Sequence, residues 1–151
     1  MIVHAPAASA QATHAYALRV YYEDTDAGGV VYHANYLRYA ERARTEALRE
    51  AGIPHADLVT NHHVMFVVHR AEIDYMRPAR LDDLLEIETR TTDVGGATVA
   101  LRQTMRGPGG ICAVVRIKLA CVQIGGHKPA RIPPRWRGVL DSMRSDGDTD
   151  T

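Results

Sequence analysis

The spacing of apolar positions changes period twice along the chain. From 35 to 51, Tyr36, Tyr39, Ala40, Ala43, Ala47, Leu48 and Ala51 recur every three or four residues, while Arg38, Glu41, Arg42, Glu46, Arg49 and Glu50 fall mainly opposite. That is the signature of an amphipathic helix with one apolar stripe. Asn35 is expected as its N-cap, Gly52 stands where a left-handed C-terminal residue belongs, and Pro54 forbids continuation. Before and after this helix the period is two. Tyr16, Leu18, Val20 and Tyr22 alternate with Ala17, Arg19, Tyr21 and Glu23, which predicts a strand over 16–23. Further strands are predicted over 64–76, 84–92, 98–105 and 111–124. The last is almost continuously apolar, as a strand well inside a sheet would be. Pro78, Gly95-Gly96, Gly107-Pro108-Gly109-Gly110 and Gly125-Gly126 punctuate the series as strand ends and tight turns. Trp136, Val139 and Leu140 suit a short terminal helix.

One strand, one helix and four strands joined by short turns predict an α+β domain with a single antiparallel sheet of about five strands. The alanines of the helix stripe permit close approach to that sheet. The economical packing is a curved sheet around one long central helix, the hot-dog arrangement. Long strands leave open edges, so dimerisation by edge pairing is expected.

A length of 151 residues suits one domain. The expected division is a disordered leader over 1–15, the hot-dog domain over 16–140 and an acidic disordered tail over 141–151. Lys+Arg and Asp+Glu both number 18, so no global field favours nucleic acid or a membrane surface. The one local imbalance before the tail is basic, with Lys128, Arg131, Arg135 and Arg137 close together. No apolar run approaches the ~20 residues of a membrane span, and the first residues lack a signal-peptide pattern, so a cytoplasmic location is expected. Cys112 and Cys121 fall in one predicted strand, roughly 30 Å apart, beyond disulfide reach. They are expected as buried thiols in a reducing compartment.

Candidate chemistry concentrates at 22–36, where Asp24, Asp26, Gly28, Gly29 and His33 fill the joint between strand and helix. Two readings of the acidic pair stand side by side. Asp beside Gly is ordinary turn vocabulary. Alternatively, Gly28 and Gly29 bend the chain so that backbone N–H groups around Tyr32 to Asn35, at the helix entrance, polarise a carbonyl while a carboxylate attacks it or deprotonates a water. A thioester suits that equipment, because its thiolate, with a pKa near ~8.5, leaves without strong acid assistance. A calcium loop is excluded, since Gly28 and Asn35 stand where ligands are required. His33 fits either a capping or a pocket-lining role. His62 and His63 are adjacent and point to opposite faces of a strand, and with His69 they lack an acidic or cysteine cluster, so no metal is expected. No GxGxxG, phosphate-loop or GxSxG motif is present, and no cofactor is expected.

The stretches 19–36 (RVYYEDTDAGGVVYHANY) and 39–46 (YAERARTE) resemble the 4-hydroxybenzoyl-CoA thioesterase superfamily, in particular its Tol–Pal-associated acyl-CoA thioesterase branch. The stretches 75–83 (YMRPARLDD) and 128–133 (KPARIP) resemble two further blocks of that branch. The resemblance implies a dimeric or tetrameric hot-dog enzyme that hydrolyses acyl-CoA thioesters. It implies Asp26 as the catalytic carboxylate and a backbone N–H at His33 as the carbonyl-binding group, with Asp24 supporting the loop. Tyr22, Gly28, Gly29 and Tyr32 would lie against the substrate. The pantetheine arm would enter between subunits, with Lys128 and Arg131 on the nucleotide phosphates. Relatives carry basic residues in the hairpin that is Val94-Gly95-Gly96 here, and this chain has none. Two rival readings remain: a non-hydrolytic acyl-CoA or acyl-carrier-protein binding module of an envelope-associated complex, and a hot-dog dehydratase, for which only His33 offers the required base.

Overall fold

The computed structural model describes residues 13–144; the rest of the expected leader and tail lies outside the described residues. Five strands form one antiparallel sheet: β1 (His14–Arg19), β2 (Val64–Tyr75), β3 (Leu84–Val94), β4 (Thr98–Gly107) and β5 (Gly110–Gln123). Their order is β1-β3-β4-β5-β2, so β5 is paired on both sides and β1 and β2 are the edges. Three helices accompany them: α1 (Asn35–Glu50), α2 (His55–Asp57), which runs into a wider turn at Leu58–His62, and α3 (Pro134–Ser142). This is the expected α+β hot-dog architecture.

Helix α1 lies against β1, β3 and β5 and buries Tyr36, Tyr39, Ala40, Ala43 and Ala47 of the predicted stripe; Leu48 is half-buried, and Ala51, expected to complete the stripe, is exposed just past the helix. Its C-terminus closes as the sequence predicts. Gly52 adopts φ +85°, its N–H donates to Arg49 O (3.0 Å), and Ile53 N–H donates to Leu48 O (3.0 Å). Its start differs from expectation. Asn35 is the first helical residue, and Ala34 occupies the cap position without a side-chain bond. The Asn35 amide instead reaches back to Asp24 O (2.9 Å), tying the preceding loop to the helix.

A buried polar group joins helix to sheet. Gln103, fully buried on β4, donates through Nε2 to Ala40 O (2.8 Å) and Thr89 Oγ1 (3.0 Å). At the other end Trp136 of α3 is fully buried, against Phe66, with its Nε1–H donating to Asp57 (2.7 Å). Cys112 and Cys121 are free and buried, and burial raises both thiol pKa values.

Three expected boundaries are corrected. β1 begins at His14, inside the supposed leader, where His14 Nε2 meets Glu50 Oε2 at 2.7 Å. The same strand stops at Arg19, and Tyr22–Asp24 forms a single 3-10 turn. Asp24 causes this: its Oδ2 accepts Tyr21 N–H (2.8 Å) while its own N–H donates to Tyr21 O (3.0 Å), so the side chain competes with the sheet for the backbone. At the far end α3 continues to Ser142, and Thr91 N–H donates to Met143 O (3.0 Å), so the ordered unit passes beyond 140.

Candidate active site

Residues 24–32 form a miniature hairpin. Tyr32 N–H donates to Asp24 O (2.9 Å), Thr25 bridges Val31, and Asp26 N–H donates to Val30 O (2.9 Å). Gly29 N–H closes the tip onto Asp26 O (3.0 Å), with Gly29 at φ +79°, a conformation that favours glycine. Val31 N–H continues to Ala79 O (2.8 Å), which fixes the hairpin to the connection between β2 and β3.

The turn reading of Asp26 accounts for one of its two carboxylate oxygens. Its Oδ1 accepts Gly28 N–H at 2.8 Å, the turn role. Its other carboxylate oxygen has no protein partner among the described residues, and the residue is exposed. A Cβ at position 28 would stand 3.2 Å from Asp26 Oδ1, so glycine leaves the carboxylate its place. Asp24, in contrast, is engaged by Tyr21 N–H and lies beside the buried Tyr39 hydroxyl, which has no well-aligned hydrogen bond among the described residues. Burial first, and the neighbouring Asp24 charge with it, push the Tyr39 hydroxyl far above its ordinary pKa.

His33 stands at the entrance of α1. Asn35 N–H turns back to Tyr32 O (2.8 Å), whereas the His33 N–H donates to no backbone carbonyl among the described residues. The His33 carbonyl accepts the Tyr75 hydroxyl (3.0 Å), and its ring lies 4.6 Å from that of Tyr32. A cavity of about 240 Å³ opens here, lined by Val31, His33, Tyr36, Tyr75, Met76, Arg77 and Pro78. Tyr36 is buried, its hydroxyl accepts Ala79 N–H (3.1 Å), and burial raises its pKa. In the sequence Tyr75, Met76 and Arg77 stand out only as part of the 75–83 block that resembles the family, and Pro78 also as a strand end.

The predicted residues fall into two groups. Gly28, Gly29, Asp26, Tyr32 and His33 belong to one hairpin and its exit. Asp26 does not line the 240 Å³ cavity, and Tyr22, turned outward by the 3-10 turn, is 82% exposed. Lys128 and Arg131 lie elsewhere. Lys128 O accepts Gln123 N–H (2.8 Å) at one end of β5, whereas Tyr75 pairs with Ala113 near the other. Ten residues of strand, roughly 33 Å, separate those positions within one chain. Arg131 lines its own cavity of about 440 Å³ with His62, Arg137 and a proline pair. Of the histidines considered for a metal, His62 meets Asp57 at 3.8 Å and His63 takes a left-handed turn at φ 55°.

Residues 20–140 match the thioesterase-like superfamily. The chain belongs to that family. Among curated relatives of this thioesterase-like chain, the acyl-CoA thioesterase YbgC of Haemophilus influenzae is 45% identical over 84% of this chain and 93% of its own. The protein of the same name from Helicobacter pylori is 45% identical over 83% of this chain and 98% of its own. Among solved structures, a probable thioesterase from Bartonella henselae superposes with a TM-score of 0.76 at 36% identity, covering 80% of this chain and 99% of that one. The family match takes in the Asp26 hairpin, the His33 entrance and the Lys128–Arg131 segment of this thioesterase-like domain.

Proposed function

We propose that this chain is an acyl-CoA thioester hydrolase that releases a free carboxylic acid and CoA. Asp26 acts as nucleophile or general base, and the His33 backbone N–H polarises the thioester carbonyl. The observation that carries this reading is the half-engaged Asp26 carboxylate: one oxygen held by Gly28 N–H at 2.8 Å, the other without a protein partner, on a hairpin tied to the α1 entrance. A carboxylate held in place with one oxygen left open is what attack on a carbonyl or on water requires. The helix dipole and the His33 N–H favour the developing oxyanion, and the thiolate leaves unaided. Water and substrate suffice, with no cofactor. The names of the curated relatives support the substrate class.

The same reading makes the working unit a homo-oligomer in the cytoplasm. The β2 edge is long and unpaired among the described residues, with Val68, Tyr75 and the following Met76 each more than half exposed. A second copy pairing antiparallel along that edge brings its Val64 end beside the Tyr75 end of the first. Lys128 and Arg131 of the partner subunit then approach the His33 cavity and hold the CoA phosphates, which resolves their separation within one chain. Tyr22 and Tyr32 lie under the substrate and the partner.

Thiol release from a panel of short, long and aromatic acyl-CoAs tests the activity. Turnover on at least one class is expected. Saturable acyl-CoA binding with no released thiol across the panel would instead favour the non-hydrolytic binding module.

A further inference from the structure

Tyr39 carries a phenol oxygen that neither the core nor the chemistry proposed above uses. The residue sits on α1, is 1% exposed and does not line the cavity at the helix entrance. Its ring meets that of Tyr36 edge-on, with centroids 6.2 Å apart, and belongs to the main hydrophobic cluster. Its hydroxyl has no well-aligned hydrogen-bond partner among the described residues. A buried hydroxyl left in that state is unfavourable, and a phenylalanine ring would fill the same space without it. Packing explains the ring; the oxygen calls for a separate reason.

The group beside that oxygen is the Asp24 carboxylate, near enough for its charge to add to burial in raising the Tyr39 pKa. Asp24 is the hub of the candidate hairpin. Its carboxylate accepts Tyr21 N–H (2.8 Å), and its carbonyl accepts both Tyr32 N–H (2.9 Å) and the Asn35 amide (2.9 Å). The 3-10 turn that ends in Asp24 buries none of its residues. The phenol is therefore fixed in the core, whereas its neighbour sits on a surface turn. A full hydrogen bond between them forms by movement of the turn toward α1, and Asp26, next but one in the chain, moves with it. Contacts at active sites are often long or poorly aligned before substrate binds and tighten in the complex.

We propose that Tyr39 is a positioning residue of the hydrolytic site: with acyl-CoA bound, its hydroxyl donates to the Asp24 carboxylate and seats the Asp26 hairpin against the entrance of α1. This rests on the hydrolytic reading of Asp26 and gives Tyr39 no contact with substrate.

Steady-state kinetics and urea unfolding of Tyr39→Phe, Asp24→Asn and the double variant test it. Tyr39→Phe should lower kcat about tenfold and leave KM within about twofold, because the alignment of Asp26 is lost and affinity is not. In the Asp24→Asn background the same change should cost less than about twofold, because the charged acceptor is gone. The urea midpoint of Tyr39→Phe should stay level or rise, since the free protein loses no well-aligned bond. Effects that add across the double variant overturn the proposal. So does a Tyr39→Phe protein that is unfolded or less stable, because the hydroxyl then serves the fold. Wild-type kcat in Tyr39→Phe overturns it too, and leaves the Asp26 reading standing. Amide exchange with S-propyl-, S-octyl- and S-benzyl-CoA, thioethers that cannot be hydrolysed, reads the closure without turnover. At least one should slow exchange at Tyr21 and Tyr32 about tenfold more in wild type than in Tyr39→Phe. Equal protection in both proteins, or none, overturns the proposal. Stronger protection in a wild type that releases no thiol from any acyl-CoA supports the Tyr39 contact and overturns the hydrolytic reading alone.

Discussion

Single carboxylates in this chain do opposite work, and their contacts say which. Asp24 and Asp57 organise backbone and side chains. Asp26 keeps an oxygen free on an exposed turn. Asp57 accepts hydrogen bonds from Trp136 Nε1 (2.7 Å) and Asn61 Nδ2 (2.6 Å), and these hold its pKa below the usual carboxylate range, the Trp136 bond most of all. A depressed folded-state pKa contributes stability that is present above the unfolded value, near ~3.9, and lost as pH falls through the folded one. Trp136→Phe removes the larger cause. The variant should be less stable than wild type at neutral pH. Its urea midpoint should also fall less steeply with pH below ~4 than that of the wild type. Parallel acid limbs for the two proteins would show that the indole bond does not set the Asp57 titration.

At the scale of elements, the helix and the four later strands follow from periodicity because burial on one face enforces it. The errors lie where a side chain overrides the pattern. The alternation that starts at Tyr16 continues to Glu23 on paper, yet Asp24 draws Tyr22–Asp24 into a turn. Asn35 is a good cap by residue type, but its amide serves Asp24 O instead. Neither contact has a periodic signature. The cavity residues Tyr75, Met76 and Arg77 come from a strand end brought to α1 by tertiary packing, which alternation does not reveal. Gln103 presents the same lesson from inside the core, where a polar residue at an apolar position bonds to Ala40 O and Thr89. Gln103→Leu leaves those acceptors without their donor and should lower unfolding stability by about 1–3 kcal/mol, read from urea denaturation. A change below ~0.5 kcal/mol would mean that water or rearrangement replaces the link.

For the whole molecule, the separation of the Asp26 hairpin from Lys128 and Arg131 is the deciding fact. One chain presents the proposed catalytic group at one end of β5 and a basic cluster at the other, and the proposed pairing of β2 edges brings them together across two chains. Co-refolding Asp26→Asn with the double variant Lys128→Ala, Arg131→Ala should therefore restore activity that each lacks alone. Random dimerisation leaves about a quarter of the sites with both native halves, so recovery to about a quarter of wild-type kcat/KM is expected. Recovery no greater than the average of the two separate variants would place both groups in one chain's site. The most direct measurement of the central claim is kcat for thiol release by Asp26→Asn, with circular dichroism confirming its fold. A fall of about 10²-fold or more is predicted, since no other carboxylate takes that place on the hairpin; a folded variant with near-wild-type kcat would contradict the account.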